Sequence, residues 1–257
     1  MYDATSHSRF EDVEFRGNLQ LSDDQHTGGA YIQDGPWAME RISFIGNQAR
    51  GYGGLFVAGN APGTIRNGTF VGNVARVGPG GAMALSSSVP IEIINTTIAH
   101  NVASAAFAAG ISIGSPNQLR LANTVFAHNR GGNVFVNWAM NNPAAFDGGG
   151  NLQWPAQRQS GDTNGGDETA VSSSAVFADP LLPILAADNG GQVATLALLE
   201  SSPARDSGVA SVASGAGSAT AVPATDARGE PRFGSVDRGS YELQPDTRIF
   251  ADGFESR

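Results

Sequence analysis

Apolar and polar positions recur along the first three-fifths of the chain in one pattern. An apolar residue is followed five positions on by Phe or Ile and three further on by Asn: Phe10, Phe15, Asn18; Met39, Phe44, Asn47; Ile65, Phe70, Asn73; Ile93, Ile98, Asn101; and Leu121, Phe126, Asn129. The Asn-to-Asn spacings are 29, 26, 28 and 28 residues, and a fixed period of this size marks stacked supersecondary units. The residues four before each Asn are Glu14, Ser43, Thr69, Thr97 and Val125. They are mostly polar, as the outward face of a half-buried strand requires. A second apolar strand follows each turn, at Gly29 to Ile32, Gly54 to Val57, Gly81 to Leu85, Gly110 to Ile113 and Gly132 to Val136. Each begins with a glycine that allows a positive φ or a close backbone approach. In a helical repeat each such glycine would cost roughly 1 kcal/mol relative to Ala, and the β-branched and aromatic content would be out of place. The pattern predicts an all-β, right-handed parallel β-helix over residues 1–158. It has about five to six coils of roughly 28 residues, an irregular C-terminal extension over 159–242 and a short tail over 243–257.

In such a stack Asn18, Asn47, Asn73, Asn101 and Asn129 form a structural ladder, each amide donating to the next coil. Asn67, Asn95 and Asn123, six residues before the main column, are read as a second, partial ladder. Coil-like sequence already begins by Phe10, which leaves little room for the cap a solenoid needs on its first edge. An N-terminally incomplete chain is therefore expected, with any signal peptide lying upstream.

Composition narrows the function classes. The 257 residues carry 34 Gly, no Cys and a net charge of −9. Without a Lys/Arg cluster to neutralise phosphates, nucleic acid is not an expected partner. Without cysteine there is no disulfide framework or thiolate metal site. No run approaches the 18 or so apolar residues of a membrane span.

Candidate chemistry on the coils is thin. Cleavage of a glycan by two carboxylates requires acids about 5 to 9.5 Å apart, so acids should align between neighbouring coils, and no such alignment is read. Asp23 and Asp24 are followed in the next coil by Tyr52 and Gly53, and the third to fifth coils add only Glu92. Asp23, Asp24 and Asp34 are the weak catalytic candidates. They are also the only Asp-rich segment from which calcium binding is read; no other cofactor is expected. His100 and His128 lie in register and could begin a metal site, but no third ligand falls in their column. Tyr31, Trp37 and Trp138 are weak candidates for stacking on a sugar, although packing of the strands beside them explains them equally well.

The coils resemble parallel β-helices of the pectate-lyase type. The chain beyond residue 149 resembles the "choice-of-anchor Q" domain of bacterial surface and secreted β-helix proteins. The motifs that carry this likeness are Gly149-Gly-Asn-Leu152, Asp179-Pro-Leu-Leu-Pro-Ile-Leu185, Asp188-Asn-Gly-Gly191, Ser202-Pro-Ala-Arg-Asp-Ser-Gly208, Thr225-Asp-Ala-Arg-Gly229 and Asp237-Arg-Gly-Ser-Tyr-Glu242. Arg205 and Arg238 stand where that family pattern usually carries an aliphatic residue. The motifs read as turn and capping chemistry, closing the open end of the helix or extending it by irregular coils. Ile249 to Glu255 is similar to a terminal tag of exported proteobacterial proteins. The resemblance implies a secreted or cell-surface protein of a Gram-negative bacterium with a structural or adhesive role. Its partner would be a polysaccharide or another surface protein, and no catalysis is favoured. The alternative is a polysaccharide lyase or glycoside hydrolase.

Overall fold

The computed structural model describes residues 7–22, 27–114, 117–132, 138–156, 167, 169–212 and 220–245. Between residues 8 and 177 the chain is a parallel β-solenoid of about 5 turns at about 28 residues per turn. Each complete coil supplies one strand, whole or split, to each of three sheets. The first sheet contains Ser8–Arg16, Trp37–Ile45 and Gly63–Val71. In later coils its strands are split, as Ile91–Ile94 with Thr97–Ala99 and Leu119–Ala122 with Val125–Ala127, and its last member is Val176–Phe177. The second contains Gln48–Ala49, Val74–Ala75, Val102–Ala103 and Arg130–Gly131, and the third Ala30–Gln33, Leu55–Gly59, Met83–Ser87 and Ile111–Ile113.

The two apolar columns read from the sequence are the core. Phe10, Met39, Ile65, Ile93 and Leu121 are register partners, as are Phe15, Phe44, Phe70, Ile98 and Phe126. Phe15 stacks on Phe44 at 4.4 Å and Phe44 on Phe70 at 4.8 Å, the spacing that hydrogen-bonded strands impose. Gly29, Gly54 and Gly110 open the third-sheet strands where an added Cβ would meet the carbonyls of Gly54, Ala82 and Ala139 in the next coil. Close approach, and not a left-handed backbone, is their reason.

Left-handed residues sit in two other columns. Gly17, Gly46, Gly72, His100 and His128, each preceding a ladder Asn, have φ of 64, 62, 66, 57 and 54°. Asp12, Arg41, Asn67, Asn95 and Asn123 have φ between 47 and 56°. Glycine and asparagine adopt this region most readily, so these columns mark the bends that every coil repeats.

The largest departure from expectation concerns the outward face of the first sheet. Ser43, Thr69, Thr97 and Val125 do point away from the solenoid core, yet they are buried. The C-terminal region wraps along this face and does not simply cap the end. Ser240 bonds Thr69 at 2.8 Å and donates its backbone N–H to Thr97 Oγ1 at 3.0 Å, and the Ala194 N–H donates to Glu14 at 3.2 Å. A second apolar cluster forms between the layers, with Val71, Val125, Ala127 and Leu152 of the solenoid meeting Leu182, Leu196, Leu198 and Ala204 of the wrap.

The wrap holds its shape through buried charge. Arg228 pairs with Asp226 at 2.7 Å and lies over the Tyr241 ring at 3.8 Å, and Arg232 pairs with Glu242 at 2.8 Å. Asp226 accepts the N–H groups of Arg228, Glu230 and Glu242, while Asp237 accepts those of Asp206 and Leu243. Burial pushes the Asp237 and Glu242 carboxyls up and the Arg232 guanidinium down. Arg205 pairs with Asp206 at 3.2 Å. Arg238 is buried, donating Nε to the Ser207 carbonyl and leaving Nη1 without a partner.

Candidate functional site

Two surface clefts of the solenoid are lined by no described residue of the wrap. At the head of the first sheet, Thr64, Glu92, Arg120 and Phe146 are successive register partners. With Trp37, Pro62, Pro90, Ile91 and Gln118 they line a groove of about 560 Å³. A strand column in a parallel solenoid projects one side chain per coil, so this row runs along the stack. Glu92 lies 3.5 Å from Arg66 and 3.6 Å from Arg120, whose guanidinium lies 5.8 Å from the Phe146 ring centroid. The result is a floor of alternating hydroxyl, carboxylate, amide and guanidinium groups between apolar walls. Such a mixture can donate to and accept from a chain of hydroxyls.

On the third sheet the outward column holds Tyr31 and Phe56 in register. Their rings stack at 5.0 Å, and Tyr52 stacks on Phe56 at 4.3 Å. Tyr31 is 49% exposed, so this candidate stands at the surface. Trp37 does not: it is 4% exposed, packed on Gly63, with its indole N–H given to the Ala61 carbonyl at 3.0 Å. It is a wall of the groove and not a free platform. Trp138 is half-buried, and its carbonyl accepts the Gly110 N–H in the third-sheet ladder.

The remaining candidates do not converge. Asp23 and Asp24 lie outside the described residues. Asp34 sits at a left-handed bend and accepts the Asn60 N–H at 2.8 Å, capping the turn of the next coil. Among the described residues no group of three or more His, Asp or Glu is placed to hold a metal ion. His100 and His128 stack at 5.1 Å with ring planes 7° apart. Both face the wrap: His100 Nε2 is 3.1 Å from the Pro183 carbonyl, and His128 Nε2 is 3.4 Å from Asp179. Burial, then the neighbouring His128, holds His100 below the usual imidazole range. The five ladder asparagines connect as expected, with Nδ2 to Oδ1 distances of 2.8, 2.9, 2.9 and 2.9 Å from Asn18 to Asn129.

One reading from the sequence needs correction. Acids do align between coils, because Glu11 and Glu40 are register partners on the first sheet. Arg9 and then Arg41 hold the Glu11 carboxyl below the usual range, while burial pushes that of Glu40 up. Both are occupied: Arg41 clamps Glu11 at 2.6 Å and Asp12 at 2.7 Å, and Asn67 donates to Glu40 at 2.8 Å. Neither lines the groove. The signal was present seven residues before the ladder Asn, a column reading Glu11, Glu40, Arg66, Ile94 and Ala122.

No protein-family model, curated protein or solved structure matches the chain.

Proposed function

We propose that this is an exported, surface-displayed β-solenoid of a Gram-negative bacterium that serves adhesion by holding a carbohydrate chain in the groove at the head of the first sheet, without cleaving it. The wrap, in this reading, is a domain of the choice-of-anchor Q kind laid on a pectate-lyase-like helix. The observation that carries the proposal is the groove's lining. It combines hydroxyl, amide, guanidinium and carboxylate groups with apolar walls, but its single carboxylate, Glu92, is shared between Arg66 and Arg120. Hydrolysis by the usual pair needs a second carboxylate across the scissile bond, and the groove lining supplies none. A cleaving enzyme is the second reading, favoured by the Glu11–Glu40 register pair with its oppositely displaced carboxyls.

Incubation of the full chain with neutral and uronate-containing polysaccharides, with and without Ca²⁺, tests both. Binding without chain shortening is expected, weakened about tenfold or more by Arg120→Ala, the loss of one or two charge-assisted hydrogen bonds. Shortening that disappears in Glu40→Gln would replace this reading with the enzymatic one. No binding to any member of the panel would remove both.

A further inference from the structure

The outward column of the third sheet breaks off. Tyr31, Phe56, Ala84 and Ser112 are register partners on four successive coils. The first two carry stacked rings, and Tyr52 adds a third against Phe56. Coils repeat at about 4.8 Å, close to the stacking distance of rings, so a solenoid can continue such a stack from coil to coil, as the core does with Phe15, Phe44 and Phe70. Outside, the next two positions are a methyl and a hydroxymethyl group. The volume they leave is a cleft of about 230 Å³ lined by Tyr52, Phe56 and Phe107 on its apolar side and by Ser86, Ser112 and Asn141 on its polar side.

We propose that this cleft binds one neutral pyranose ring, stacked where the aromatic column stops. The site rests on the carbohydrate reading above, but it is a second locus with a different selectivity. Its volume is below the roughly 300–1,000 Å³ of clefts that take drug-sized ligands, so it suits a single ring. None of its described lining residues is charged, so an anionic sugar would leave solvent without a charged partner in the lining. A sugar matches both sides of the cleft: its C–H face covers the Tyr52 ring, Phe56 being stacked on both faces by Tyr31 and Tyr52, and its hydroxyls reach the serines. A purely aliphatic guest would leave the polar side unpaired. Phe107, 42% exposed, keeps the apolar wall open to solvent.

The test uses saturation-transfer NMR on the full chain, with methyl β-D-glucopyranoside and then cellohexaose as probes. Saturation of the ring protons is expected. Ala84→Phe supplies the missing ring and should weaken binding about tenfold or more, since the guest loses its place. Tyr52→Ala should weaken it up to about tenfold, the worth of one ring contact. Because the second variant removes bulk, it keeps the test valid if the first does not fold. Leu199→Ala, at an exposed position of the wrap that lines neither the groove nor the cleft, should leave the signal intact. Equal binding by wild type, Ala84→Phe and Tyr52→Ala would overturn the cleft. So would loss of binding in Arg120→Ala alone, which would leave the groove reading standing. If polysaccharides bind but neither probe saturates, only the cleft falls; if no saccharide binds at all, both do.

Discussion

Two columns of asparagine run through this molecule six residues apart, with the same coil period and different main tasks. The inner column, Asn18 to Asn129, ties coil to coil. Each Oδ1 from Asn47 on accepts both the backbone N–H and the side-chain amide of the preceding Asn, as Asn73 does from Asn47 at 3.0 and 2.9 Å. The outer column, Asn67, Asn95 and Asn123, keeps two bonds between coils, Asn67 to Glu40 and Asn123 to Asn95, but chiefly ties the solenoid to the wrap. Asn67 donates to Thr225, Asn95 to Asp237, and Asn123 exchanges hydrogen bonds with the Val209 main chain at 2.7 and 2.9 Å. The difference lies in the backbone. The inner asparagines follow a left-handed residue and point into the corner between two sheets, whereas the outer ones are themselves left-handed and turn outward. In the first two coils the outer position holds Asp12 and Arg41, which pair with each other. A repeated residue identifies a column, but only the face it points to identifies its partner.

The largest expected effect comes from the inner column. Asn73→Ala strips the acceptor from two Asn47 donors and the donor from the Phe44 carbonyl, all buried. At about 1–3 kcal/mol per orphaned group, a loss of roughly 3–5 kcal/mol is expected in chemical denaturation. A loss under about 1 kcal/mol would mean the ladder is ornamental.

Asp167 does with a charge what the inner asparagines do without one. It accepts the N–H groups of Trp138 and Ala139 at 3.1 and 2.6 Å, and burial pushes its carboxyl up to about 6. Because the folded state holds the proton more tightly than the unfolded state, stability from this group is present below about pH 4 and is lost as pH rises to about 6. The total is of order 3 kcal/mol. Acids held low by arginines, such as Glu11 and Asp12, slope the other way and are unchanged in Asp167→Asn. The wild-type-minus-variant difference in melting temperature should therefore fall between pH 4 and 6, and a flat difference would contradict the assignment.

The outer column should matter least to the whole and most to one layer. Asn123→Gly keeps the left-handed bend and removes both bonds to Val209 and the longer 3.3 Å bond to Asn95 Oδ1, for about 1–2 kcal/mol. The loss is expected as earlier opening of the wrap, with the solenoid unchanged.

The coils were legible because their core is periodic. Phe or Ile three before each Asn, and an apolar residue eight before it, survive in every coil. The wrap was legible as turn chemistry but not as a layer. Ser43, Thr69 and Thr97 are polar, and polarity on a strand reads as solvent exposure unless hydrogen-bond partners such as Ser240 can be foreseen. Those partners lie 143 and 171 residues away, beyond any period. The groove is hidden in the sequence for a related reason. Thr64, Glu92, Arg120 and Phe146 share no chemistry along the sequence, and only coil stacking lines them up. His100 and His128 read as a pair of ligands because they lie in register, while their place in a column of left-handed glycines gives them a backbone role.

Hydrogen exchange followed by mass spectrometry on wild type and Asn123→Gly tests the two-layer account most directly. The account predicts that peptides from residues 178–244 exchange before those of the solenoid core, and that the substitution speeds exchange in the first set while leaving Met39, Ile65 and Ile93 and their strands protected. Simultaneous exchange of both sets, accelerated together by the substitution, would show a single cooperative unit and contradict it.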